Sequence, residues 1–194
     1  MDFTAYVEQK KKEARLANIE EVRKEIDKSW VKTKIENHIA AFDGIMSVEE
    51  VREAILTNII VASKFCKDPG KQNISEKLAA EVLGLDKLPA QGKNCIRFDN
   101  NGNIVSTSTG NTKSVDFMLG EYYATQKYTT EEGGAQDNQR NDVIDFLTRG
   151  SIKYKVAAIV DGPYWDVHRA DLITLFADNP NVLITSVTEL TKNS

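Results

Sequence analysis

Apolar residues recur at Val7, Ala14, Leu16, Ile19, Val22 and Ile26, a narrow stripe in a stretch, 3–30, that holds neither Gly nor Pro. That spacing predicts a helix. Opposite charges four apart, Glu8 with Lys12 and Glu20 with Lys24, reinforce it. A second helix is predicted over 33–42, ended by Asp43-Gly44. Ser47 followed by Glu50 is a capping box for a third, over 48–65, whose run of Ala54, Ile55, Ile59, Ile60 and Val61 predicts burial. Asp68-Pro69-Gly70 is a stop signal, and Ser75 then caps a shorter helix, 76–83, with Gly84 at its end.

Beyond Gly84 the pattern changes. A strand is predicted over 94–98, turn chemistry at Asp99-Asn100-Asn101-Gly102-Asn103, a short return at Ile104-Val105 and a loop over 106–112. Two strands, 115–119 and 122–128, follow, joined through Gly120-Glu121. Glu131-Glu132-Gly133-Gly134 breaks the chain before a helix over 135–148. The near-continuous apolar run 154–160 has the character of a strand buried on both faces. Asp161-Gly162-Pro163 is a turn, Asp166 an N-cap, 167–176 a helix and 182–185 a last strand. The order predicts an α/β fold: a central mixed β-sheet flanked by helices, with a helical N-terminal extension. Residues 1–70 are expected to form the helical subdomain and 71–194 the α/β core, packed as one compact domain.

Composition narrows the picture. At 194 residues the chain can bury a real core, and it has no apolar run of membrane-spanning length and no signal-peptide pattern. Cys66 and Cys95 lie far apart, which predicts reduced thiols in a cytoplasmic protein rather than a zinc site. His38 and His168 are the only histidines, so a His-rich metal site is nearly excluded. A net charge of −4 does not advertise nucleic-acid binding, although Lys64 to Arg97 carries a mild basic excess. No GxxxxGK[ST] or GxGxxG motif occurs.

The charges of the hairpin are the informative feature. Each predicted strand carries one, Asp116 and then Lys127, and a charge within a half-buried strand is costly unless it is paired or used. Strand alternation puts Tyr123, Thr125 and Lys127 on one face and allows Asp116 to share it. A plain ion pair is the simplest account. The downstream sequence adds to it: Gly133-Gly134 precedes a helix whose first turns carry Gln136, Asn138, Gln139, Arg140 and Asn141, side chains suited to phosphates and base edges.

An Asp on one strand, a Lys on the next and then GGAQDNQ, within KSVDFM and QKYTTEEGGAQDNQ, resembles the PD-(D/E)XK nucleases, specifically type II restriction endonucleases, over roughly 72–190. The resemblance implies a restriction-endonuclease-like fold and Mg²⁺-dependent, sequence-specific cleavage of double-stranded DNA by a homodimer. It also implies residue roles: Asp116 as the metal-binding acid, Lys127 as the lysine that orients the attacking water, and Glu76 as the helix-borne acid. Gln136, Asn138, Gln139 and Arg140 become DNA contacts. One position departs. The pattern wants an acid two residues before the lysine, where Thr125 stands beside Gln126. Glu76 could supply the missing carboxylate, a β-bulge could turn Gln126 inward as a catalytic substitute, or the site is dead. The competing expectation is a DNA-binding protein of nuclease fold that does not cut.

Overall fold

The computed structural model describes residues 1–41, 44–106, 111–130 and 134–192, and no side chain at 70, 71 or 134–136. The chain divides into two compact units, Val7–Ile74 and Met1–Tyr6 with Ser75–Ser194. The division falls between Tyr6 and Val7 and between Ile74 and Ser75.

Among the described residues the first unit contains the α-helices α1 (Phe3–Lys24, from Val7 on), α2 (Ser29–Ala41), α3 (Val48–Thr57) and α4 (Ile59–Phe65), with a 3-10 turn at Pro69–Gln72. The predicted 3–30 helix stops at Lys24, and Trp30 belongs to α2. No breaker residue marks that stop. Val22 before it, Ile26 in the turn and Val31 and Ile35 after it all bury in one cluster with Ile55 and Phe65, which a single straight rod could not do. The predicted 48–65 helix also divides, at Asn58, whose backbone is extended and whose side chain accepts from the Ile60 and Val61 N–H groups. Asparagine competes in this way for backbone donors. Ser47 and Glu50 form the capping box that the spacing announced. Asn18 ties the unit together, its amide donating to the Lys67 carbonyl and to Gln72.

The second unit opens with α5 (Ile74–Leu83) and contains a mixed four-stranded sheet with interleaved helices. Its strands are β4 (Phe117–Leu119), β5 (Tyr122–Tyr128), β6 (Val156–Asp161) and β7 (Val182–Thr185), in the order β4-β5-β6-β7. The β4–β5 pair is antiparallel and the other two pairs are parallel. The remaining predicted strands do not join this sheet. β1 (Arg97–Phe98), β2 (Ile104–Val105) and β3 (Lys113–Ser114) form a small antiparallel sheet of their own, so 94–98 is mostly irregular and the single central sheet is really two.

Parallel neighbours need crossover helices. α6 (Gly134–Gly150) connects β5 to β6, and α7 (Pro163–Leu175) connects β6 to β7. Successive right-handed crossovers moving one way along a sheet place their helices on the same face. Accordingly Val156, Ala158 and Val160 of β6 share a cluster with Phe146 and Leu147 of α6 and Trp165 of α7. Ala157 and Ile159 point the other way and are also fully buried, which explains the unbroken apolar run. The N-cap of α7 is Gly162, not Asp166, with Pro163 opening the helix. Gly162 has φ +104, and a Cβ there would overlap the Thr129 carbonyl. A short last helix, α8 (Val187–Lys192), follows β7 after Ser186, whose hydroxyl caps it by accepting the Glu189 N–H at 3.1 Å. Among the described residues no helix is long and apolar enough to cross a membrane.

Candidate active site

The turn at Gly120, φ +56, sets the hairpin register: Leu119 opposite Tyr122, Met118 opposite Tyr123, Phe117 opposite Ala124. One further step brings Asp116 to Thr125. There the Asp116 N–H donates to the Ala124 carbonyl at 2.8 Å. The Thr125 hydroxyl donates to Asp116 Oδ2 at 2.8 Å, and the Gln126 backbone N–H donates to the same oxygen at 2.9 Å. Among the described residues Oδ1 accepts no hydrogen bond. The carboxylate is thus anchored by one oxygen and open at the other.

β5 pairs with β6 residue for residue from Tyr123 to Tyr128, without a bulge. Strand alternation therefore puts Thr125 and Lys127 on the side of Asp116 and the Gln126 side chain on the opposite face. The bulge that would bring Gln126 into the site is not there. Gln126 is 5% exposed, and its Nε2 has no hydrogen-bond partner among the described residues. Its backbone serves the site and its side chain does not.

After α5 the chain runs alongside β4: Lys87 bridges Phe117, and the Leu88 N–H donates to the Asp116 carbonyl at 2.8 Å. Lys87 reaches Glu76 of α5, Nζ to Oε1 2.9 Å. Sequence reading singled out Glu76 but not this lysine, which sits in no periodic element and carries no motif. Burial is the main cause pushing the Asp116 carboxyl above the usual carboxylate range. The Glu76 charge pushes the same way, while the Gln126 N–H, the Lys127 charge and the Thr125 hydroxyl oppose it. Asp116, Glu76 and Lys127 therefore share one electrostatic neighbourhood, although α5 and β5 are distant in sequence. Among the described residues Lys127 makes no ion pair within 4.0 Å, so the plain Asp116–Lys127 salt bridge does not form.

Two repelling carboxylates, one with an open oxygen, and a hydroxyl suit a hard cation such as Mg²⁺, which keeps most of its waters and takes one or two protein carboxylates. No group of three or more His, Cys, Asp or Glu side chains among the described residues could cage a metal. The set fits a cation shared with a substrate phosphate, not a dedicated structural site.

Comparison with protein-family models, curated proteins and solved structures finds no match. The site's chemistry therefore has to speak for itself.

Of the α6 residues, Asn138 is exposed and free to face a ligand. Gln139 is turned inward: its Oε1 accepts from the Thr129 hydroxyl at 2.6 Å, which in turn accepts from Trp165 Nε1 at 3.0 Å. Arg140 is half-buried, and its Nε has no partner among the described residues. The Gln136 side chain and residues Glu131, Glu132 and Gly133 lie outside the described residues.

A second polar cavity, about 340 Å³, opens at the carboxyl end of β6, lined by Asp161, Asp166, Arg169, Ser186, Glu189 and Lys192 among others. Within it Arg169 pairs with Glu189 at 2.8 Å. Asp161 is 4% exposed, and both its oxygens take the Val187 N–H at 3.2 Å. Burial raises its carboxyl to about 7.

Proposed function

We propose that the protein is a Mg²⁺-dependent, sequence-specific endonuclease of double-stranded DNA, of type II restriction kind, with its site on a PD-(D/E)XK-like hairpin. The observation that carries the reading is an Asp116 carboxylate anchored through Oδ2 and within electrostatic range of both Glu76 and Lys127. Glu76 and Asp116 would hold the metal, which on binding would supply charge stabilisation at the scissile phosphate. Thr125 and the Gln126 N–H fix the Asp116 carboxylate through Oδ2, which leaves Oδ1 without a donor among the described residues. Lys127, on the same face and without an ion pair among the described residues, would orient a water and hold charge near it. Lys87 pairs with Glu76 and holds its carboxylate in place. Asn138 and Gln136, on the first turns of the following helix, are assigned to DNA, together with Arg140. Two copies would cut the two strands, as a homodimer, in a cytoplasmic setting.

The second reading is a DNA-binding protein that does not cleave. It is favoured by Thr125, whose hydroxyl is committed to Asp116 where the family pattern wants a third acid. Digestion of a long, sequence-diverse DNA with Mg²⁺, against an EDTA control and with fragment ends sequenced, separates the two. Discrete metal-dependent fragments sharing an end sequence support the nuclease. Retarded but intact DNA supports the binding protein.

A further inference from the structure

Residue order pointed to Glu76, Asp116 and Lys127, and the fold adds Lys87 to them. Lys87 lies between α5 and β1, in the stretch that runs along β4. There it bridges Phe117, and its neighbour Leu88 donates to the Asp116 carbonyl at 2.8 Å. These backbone contacts fix where the Lys87 side chain starts. It ends on Glu76, Nζ to Oε1 2.9 Å, and the Glu76 side chain is only 16% exposed. A partly buried pair of this kind is screened far less than a surface one.

The two lysines are therefore in different states. Lys127 makes no ion pair within 4.0 Å among the described residues, whereas Lys87 is seated on one of the two carboxylates assigned to the metal. Charge accounts for its place. The Glu76 charge helps to raise the Asp116 carboxyl, and like charges brought together call for a counter-charge. Among the described residues, Glu76 and Asp116 supply two negative charges, and Lys87 and Lys127 two positive ones. Fully ionised, the set is neutral. A divalent cation meets little net attraction there, and one Glu76 oxygen is already engaged. Mg²⁺ gives up its waters reluctantly, so that carboxylate serves it only once the ammonium has left.

We infer that Lys87 is an internal competitor for the metal: its ammonium neutralises Glu76 in the metal-free protein and is displaced when a divalent cation binds there. The inference rests on the metal-site reading of Glu76 and Asp116. It gives Lys87 control over how readily that site fills, a role separate from that of Lys127. A lysine that only braced Glu76 would act the opposite way, because removing it would misplace a ligand and weaken metal binding.

The experiment is Mn²⁺ binding to the full chain without DNA, at pH 8, read from the electron paramagnetic resonance signal of the free ion. Lys87→Gln keeps an N–H donor for Glu76 and removes the charge. It should bind Mn²⁺ about tenfold more tightly than the unaltered chain, the effect of deleting a like charge beside a divalent ion. Lys87→Met should show the same gain without the donor. Lys87→Arg keeps the charge and should bind as the unaltered chain does. Adding Glu76→Gln to Lys87→Gln should abolish the gain, because the competition is for that carboxylate. Melting scans check that each variant folds and give a second readout: Mg²⁺ should raise the melting temperature of Lys87→Gln more than that of the unaltered chain. Unchanged or weaker Mn²⁺ binding by both neutral variants overturns the inference. So does an equal gain in Lys87→Arg, a gain that survives Glu76→Gln, or no binding by any variant at millimolar Mn²⁺. DNA cutting is scored separately. A chain that cuts with Mg²⁺ while the neutral variants bind metal no more tightly ends this inference alone. Tighter metal binding in a protein that never cuts ends the nuclease reading alone.

Discussion

Asp116 and Asp161 are both aspartates at strand ends in the same sheet unit, and burial raises both, yet their surroundings make them different instruments. Asp161 is sealed in, with its two oxygens sharing the one Val187 N–H and its nearby Arg169 already paired to Glu189. Asp166 and Glu189 push its carboxyl further up, and it titrates at about 7. It holds the start of α8 and has little charge to offer. Asp116 is half-buried, anchored through Oδ2 by two donors and left open at Oδ1, with Lys127 and Glu76 in electrostatic range. A buried acid becomes useful for chemistry when its fixation and its availability reside on different oxygens. Where both oxygens serve the fold, the acid is a strut.

The comparison is broken most directly at Asp116 and Lys127. Asp116→Asn keeps an acceptor for the Thr125 and Gln126 donors but removes the charge. It should cost metal-dependent cutting about 10³-fold while melting stays level or rises. Lys127→Ala should lower cutting by about 10²–10³-fold with binding and melting intact. A loss of stability with either variant would restore the simple ion-pair account.

Asp161 should show its difference through pH. Its folded pKa, about 7, lies above the unfolded value of 3.8. The folded state therefore binds the extra proton between those values. The stability this confers is complete below about pH 4 and is lost as pH rises towards about 7, at no more than about 1.4 kcal/mol per pH unit. Denaturant titrations from pH 4 to 8 should show that decline, and Asp161→Asn should flatten it without altering cutting. An unchanged profile would show that Asp161 is already ionised at low pH.

Gln126 sharpens the contrast between backbone and side-chain roles. Gln126→Leu removes a buried amide nitrogen that has no partner among the described residues, while keeping the N–H that holds Asp116. It should raise stability by about 1 kcal/mol and leave cutting unchanged, measured by melting and digestion together. Lost cutting would place that side chain in the chemistry after all. The smallest effect is expected of Thr125→Val, which removes one hydroxyl donor from Asp116: about 1 kcal/mol of stability in a denaturant titration.

Much of this was legible from residue order. The capping box at Ser47, the Gly120 turn, β5, β7 and the doubly buried β6 all depend on contacts between near neighbours in the chain or on strong periodic patterns. The shared face of Asp116 and Lys127 also followed from strand alternation. The stop of α1 at Lys24 and the division into two sheets did not. No local residue marks them, and they come from how distant apolar stripes meet. Lys87 was invisible because an extended segment along β4 has no period of its own.

The sequence by itself determined the alternation of helix and strand, the parity of the hairpin and the paired charges along α1, since each depends on spacing within a few residues. Tertiary structure alone decided that α5 would bring Glu76 into electrostatic range of Asp116, that no bulge would turn Gln126 inward and that Asp161 would be sealed. Those outcomes depend on strand register and on burial, which are set by segments far apart in the chain and have no local signature.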